Sequence, residues 1–546
     1  MKTIPFDLAD LQSARSGNVP EGKKLTDEEI KKLQLTSSES QTVEHNVALP
    51  PSITVDIAST PIINEPNNFK AIEGLVRYSP QGDAEFLNRN EYLASELDTQ
   101  TTNRQFLPSL FLSYITELDL SEGSYFDGSR SYAGFAQMDE AGKTASPSYQ
   151  SLRSGANVEA SFSLEIETKD GDKVTININK ENGIAAVKDS GFLSVNGTSF
   201  SFEFEGELDE EELEAIQNLA VDFSDSAGAF FNGRGMAELN GLQGFDRDEL
   251  VGFDLELKNS HTSSKAEFHF EIDQFNGNQT LEATQNGLTY DFTVDTNNEL
   301  VSGSLEENAQ FQSYLDIIDK TAKSYKMFGV SPDDVASFFT DGFSSALNIG
   351  LRNEDDEKDT STTLNPNQTS VAKSVLSGLP DFEANFFGTR DIAPNPQNPQ
   401  EKSFMSLEID QETKIREGLT RDGKYTEVEQ TSTYDMDIRQ HKPLNGLNQV
   451  DFKNGNYKYE TLKEEGSLIR SINMDGQGAI NSAIVNQSQS KEETTKEYEN
   501  GKLTNKEAIK EQITDTLITS DLGTLQQDKL DRQLGLYKVI DELLDE

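Results

Sequence analysis

Cysteine and tryptophan are both absent from this 546-residue chain. Without cysteine there are no disulfides, no thiolate nucleophile, no iron–sulfur cluster and no cysteine-ligated zinc. Without tryptophan, the broad indole platforms on which sugars stack are missing, which weighs against a carbohydrate enzyme. Positive charge is scarce: 47 Lys and Arg stand against 96 Asp and Glu, a formal net charge of −49. The acidic excess is spread along the chain with no basic block. A phosphate backbone demands Lys and Arg to replace its counterions, so nucleic acid is excluded as a partner. Anionic membrane surfaces are disfavoured for the same reason. No stretch of 18 apolar residues occurs, so no membrane insertion is expected. The opening residues, MKTIPFDLADLQSARSGN, hold no apolar run and do not read as a signal peptide. The expected location is cytoplasmic, or exported without a cleaved signal peptide.

What is present reads as an acidic, soluble, β-rich protein of several domains. The length exceeds one ordinary core, and the 34 % hydrophobic content leaves room for linkers. Residues 1–66 are polar and Pro-interrupted, and are expected to be a mobile segment with one short capped helix at 26–35. Residues 67–156 read as a mixed helical region, with one helix near Phe86, Leu93 and Leu97 and another near Leu110, Tyr114 and Leu118.

Residues 157–300 carry the strongest strand signal. Phe162, Leu164 and Ile166 alternate with polar residues, and Val174, Ile176 and Ile178 resume the pattern after the turn Lys169-Asp170-Gly171-Asp172. A second hairpin is expected to turn at Asn196-Gly197, with Phe200, Phe202 and Phe204 inside. The period then becomes helical: Leu213, Ile216, Ala220, Phe223, Ala227 and Phe230 share one stripe behind the acids at 209–212. Strands return at 253–257, 266–272 and 288–294. The expected fold class is α+β, an antiparallel sheet with packed helices. Residues 301–351 read as a helical hairpin, with Pro332 opening its second helix. Residues 352–402, with their charge run and prolines, read as a linker containing an apolar island at 371–387. Residues 403–546 read as a polar β-meander with turns at Asp422-Gly423, Asn454-Gly455 and Asn500-Gly501. A helix carrying Leu530, Leu534, Tyr537, Ile540 and Leu544 ends the chain.

A search for chemistry finds no catalytic, cofactor-binding or metal-binding residue to assign. The four histidines, His45, His261, His269 and His441, are scattered; His261 and His269 fall near enough to meet across a hairpin. Phosphate-loop, dinucleotide, serine-hydrolase and zinc-protease motifs are missing, and no cofactor is expected. Asp170 and Asp172 flank Gly171 but lack the acidic ladder of a calcium loop. Paired carboxylates for hydrolysis are not excluded by so many acids.

Across 161–257, the segments SFSLEIETKDGDKVTI, FEFEGELDEEELEAIQNLA, AFFNG and ELVGFDLELK resemble an uncharacterised domain family of Gram-negative, often marine, bacteria. The resemblance implies no activity and transfers no functional residue. The function expected is that of a non-enzymatic interaction or structural protein, associated with a bacterial surface, motility or export apparatus and acting on protein partners. Alternatives are a carboxylate- or calcium-dependent hydrolase, and a phage or contractile-particle component or cargo.

Overall fold

A computed structural model describes most residues from 156 to 536, together with strands at 69–73, 77–78 and 126–137. The chain divides after position 60, and every described residue belongs to the second unit, Pro61–Glu546. The expected mobile segment 1–66, the helices near Phe86 and Leu110, His45 and His261 lie outside the described residues.

Sixteen strands form one antiparallel sheet with helices packed on it. Its first part comprises β1 (Phe69–Glu73), β2 (Arg77–Tyr78), β3 (Phe126–Gln137), β4 (Ala156–Thr168), β5 (Lys173–Val187) and β6 (Gly191–Glu205). After helix α1 (Glu210–Asn232) come β7 (Leu250–Asn259), β8 (Ser264–Ile272), β9 (Asn278–Gln285) and β10 (Leu288–Asp295). Helices α2 (Ala309–Ser324), α3 (Pro332–Gly350) and α4 (Pro366–Val375) precede β11 (Asp381–Thr389). Five long strands follow: β12 (Phe404–Thr420), β13 (Gly423–Pro443), β14 (Tyr457–Asp475), β15 (Ile480–Glu499) and β16 (Lys502–Thr519), then helix α5 (Leu522–Asp531). The spatial order is β1-β3-β6-β5-β4-β7 and then sequential to β16, with β2 beside β3. Among the described strands the sheet is open, not closed into a barrel.

Turn chemistry sets the registers. Gly171 supplies φ +94° in the β4–β5 turn, and Asn500 and Gly501 both take positive φ between β15 and β16, as a two-residue hairpin turn of that handedness requires. Helix α1 opens with a reciprocal cap: Glu212 N–H donates to Asp209 Oδ1 (2.9 Å), and Asp209 N–H donates to Glu212 Oε2 (3.0 Å). Ser331 caps α3, accepting from Asp334 N–H at 3.0 Å, with Pro332 at the first helical position.

The inner face of the sheet carries the alternating apolar residues and is covered by the helices. One register row runs Leu164, Leu255, Phe268, Ala283, Tyr290, Phe386 across six strands, every one buried. Helices α2 and α3 pack as the expected hairpin. Phe343 of α3 sits among Phe311 and Tyr314 of α2 and Phe292, Phe382 and Phe386 of the sheet, with ring centroids 5.3–6.3 Å apart.

Several sequence expectations need correction. Asn196-Gly197 is not a turn: β6 is continuous, pairing Asn182 with Asn196 and Glu181 with Gly197. Pairing along the whole of β5 overrides the local turn signal. The linker expected at 352–402 contains α4 and the internal strand β11, whose Phe382, Ala384 and Phe386 point inward. Its prolines lie outside both elements except Pro366, which opens α4. Part of 67–156, expected helical, forms β1, β2 and β3. The closing helix spans Leu522–Asp531 and stops before Leu534, which is nonetheless fully buried; residues 537–546 lie outside the described set.

The C-terminal meander buries more than its composition implies. Its inward polar residues bond to the covering helices and their connections. Gln411 donates to the carbonyls of Leu379 and Pro380 (3.1 and 2.8 Å) and accepts from the Tyr314 hydroxyl (3.2 Å). Gln430 accepts from Ser377 N–H at 2.8 Å. Buried polar groups so satisfied cost little, which lets a Gln- and Ser-rich strand face a core.

Candidate functional site

The outer face of the sheet is built from the residues between the apolar ones, and many of those are acids. One row takes a residue from each of β4 and β7 to β14: Glu165, Asp254, His269, Glu282, Asp291, Asn385, Glu408, Asp435 and Glu465. All but His269 and Asn385 are acidic. Side chains opposite each other on neighbouring strands lie about 5 Å apart at Cβ, so like charges there repel.

Around the two ends of the row, several acids on or beside it have partners. His269 Nδ1 lies 2.8 Å from Asp254, Lys173 bridges Glu165 and Glu167 (3.5 and 3.4 Å), and Lys265 approaches Glu256 at 3.2 Å. Towards β14, Asp437 pairs with Arg439 at 2.6 Å and with Lys463 at 3.4 Å. The middle differs. Among the described residues, no Lys, Arg or His pairs with Glu282, Asp291, Glu383, Glu408, Asp410 or Asp435. This uncompensated stripe crosses β9 to β13.

Two depressions flank it. One, about 460 Å³, is lined by Glu165, Asp254, Glu256, Glu267, His269 and Glu282 among others. The other, about 370 Å³, is lined by Asp291, Asn385, Phe387, Glu408, Asp435 and Lys463 among others. Phe387 is 42 % exposed and stacks on Phe404 at 6.1 Å; the Arg439 guanidinium lies 5.0 Å over the Phe404 ring. A charged rim and an exposed aromatic floor thus share one surface.

Crowding shows in the titration of the stripe. Partial burial, reinforced by Glu408 and Glu383, holds Asp410 up at about 6, against a weak opposing bond from the Thr433 hydroxyl. Partial burial, with Glu282 and Glu383 adding to it, also raises Asp291. A carboxyl raised in the folded chain binds its proton more tightly there than when unfolded. It therefore opposes folding at neutral pH, and the penalty fades as pH falls through about 6 towards the ordinary 3.8. Asp410→Asn is expected to raise the Tm near pH 7.5 and to leave it almost unchanged near pH 2.5, where both states are protonated. Scanning calorimetry at the two pH values checks this; an equal shift at both would assign the effect to packing.

His441 belongs to a separate, closed cluster. Its Nδ1 meets Ser403 Oγ at 2.8 Å, and its ring packs on Phe452 and Tyr459, both at 4.9 Å. Beside it, Glu401 accepts from the Tyr498 hydroxyl (2.8 Å) and Lys496 (3.1 Å) at one oxygen and from the Tyr457 hydroxyl (3.2 Å) at the other. These bonds fasten the connection before β12 onto β14 and β15. Among the described residues no three His, Asp or Glu side chains converge as a metal site.

Sequence reasoning located the inward stripes but not the outward acids as a set. Their signal is the i, i+2 acid spacing in FDLELK, EFHFEID, SLEID and YDMDI. Only the register turns those spacings into one row. No known protein-family model, curated protein or solved structure matches the chain.

Proposed function

We propose that this chain is a non-enzymatic binding protein whose outer sheet face receives a basic protein surface. The observation that carries the proposal is the run of six carboxylates across β9 to β13 with no counter-cation among the described residues. A partner supplying Lys or Arg would relieve repulsion already present in the free protein, and would gain on-rate from the field of a −49 chain. Phe387, exposed beside the stripe, offers a flat ring for an arginine or an apolar side chain.

A Lys-rich peptide is the probe, titrated calorimetrically at low and moderate salt. Glu408→Gln with Asp435→Asn is expected to weaken binding by about tenfold at low salt, with the difference shrinking as salt screens it. A control with the same charge loss at the exposed Glu210 and Glu211 of α1 separates the stripe from net charge. If both variants lose affinity equally, the stripe is not the site.

A further inference from the structure

The second feature that points outward is the edge strand β16, which is independent of the acid stripe. Among the described strands β16 pairs only with β15, so every second backbone N–H and C=O along it faces solvent. It is exposed along nearly its whole length, with Ile509 and Ile513 about half exposed.

Two cross-strand charge ladders run to this edge and stop there. On the outer face, Asp437, Lys463, Glu492 and Lys510 occupy one register row, alternating in sign from β13 to β16. Lys463 approaches Asp437 at 3.4 Å and Lys510 approaches Glu492 at 2.8 Å. On the inner face, Glu464, Lys491 and Glu511 alternate in the same way from β14 to β16. The ladders end on adjacent residues, Lys510 and Glu511, which point to opposite faces. A strand added beyond β16 continues both ladders if it sets an acid opposite Lys510 and a base opposite Glu511.

A second copy of this chain cannot do that through its own β16. A two-fold pairing keeps outer face with outer face. Beyond the bulge near its start, from Asn505 to Thr519, the outer side of β16 carries Lys506 and Lys510 with no acid, and the inner side carries Glu507, Glu511 and Asp515 with no base. Depending on register, self-pairing therefore sets either lysines opposite lysines or acids opposite acids. We propose that β16 is a β-augmentation site for an extended segment of another protein. The segment is antiparallel, with a Lys-Glu or Arg-Glu step at its centre and an apolar residue opposite Ile509.

The test uses the full chain and two synthetic peptides about eleven residues long, with Thr and Val flanks around a central Lys-Glu or the reversed Glu-Lys. The expected result is that the Lys-Glu peptide binds, slows amide exchange in β16, and binds roughly tenfold tighter than its reverse. The exchanged pair Lys510→Glu with Glu511→Lys is expected to invert that preference, with far-ultraviolet circular dichroism confirming its fold. The two peptides on the unmodified protein suffice if the variant misfolds. Equal binding of both peptides, no slowing of β16 exchange by either, or a dimer in sedimentation that the exchanged pair abolishes would each overturn the proposal.

Discussion

Phe343→Ala is expected to lower the unfolding free energy by about 3–5 kcal/mol. The ring is 1 % exposed and lies at the one place where α2, α3, β10 and β11 all present aromatic side chains. Rings so interlocked do not collapse readily into the space left behind, which puts the cost in the upper range for a truncated core residue. Urea unfolding reads the result as a lower midpoint at unchanged slope. A loss below about 1 kcal/mol would mean that the helical hairpin closes over the gap and that the sheet is stabilised elsewhere.

Asp528→Ala is expected to cost about 3 kcal/mol, and to cost it locally. Asp528 of α5 meets Arg532 at 3.1 Å beside the buried Arg470, whose guanidinium donates to the Arg532 carbonyl at 2.6 Å. Removing the carboxylate leaves the almost wholly enclosed Arg470 guanidinium without its nearby counter-charge, while Arg532 keeps Asp515 at 3.0 Å. Only Leu525 of α5 is buried, so polar bonds rather than apolar area hold this helix down. Hydrogen exchange should therefore quicken across 521–536 while the sheet stays protected. Adding Arg470→Leu should recover part of the loss, because the orphaned charge goes with it. Uniform loss of protection would show instead that α5 and the sheet unfold as one unit.

The inward stripes of β4, β5, β7, β8 and β10 were legible because a Phe, Leu, Ile or Val stands at nearly every second position. Strand β9 was not. Its inward positions run Gln279, Leu281, Ala283, Gln285, and the two glutamines erase the alternation. They are buried because they serve as connectors: Gln279 donates to the Ile349 carbonyl at the end of α3 (3.2 Å), and Gln285 accepts from Ala237 N–H (2.9 Å). The same disguise hides the inner face of β13 to β15, where Gln430, Ser432, Glu464, Arg470 and Lys491 are all buried. Strand β11 escaped notice because the charged and proline-rich flanks on either side set the character of the whole segment. For the acid stripe, composition announced an excess of carboxylates, but nothing in a linear chain says which of them become neighbours. Register decides that, and register is a property of turns and partner strands acting together.

The sequential order of β7 to β16 also has a consequence in time. Each of these strands lies beside the one made just before it, so the chain can lay down this part of the sheet by adding one strand after another as it emerges during synthesis. Loop-closure entropy is small for such steps. Two junctions are exceptions: β10–β11 pairs Asp295 with Asp381 across α2, α3 and α4, and the other is the junction between β4 and β7. The latter joins Ala160 to Asn259 and must wait until β5, β6 and α1 have all been made. Long-range pairing of this kind carries the largest entropic barrier, which makes the β4–β7 and β10–β11 seams the natural slow steps in assembling the sheet.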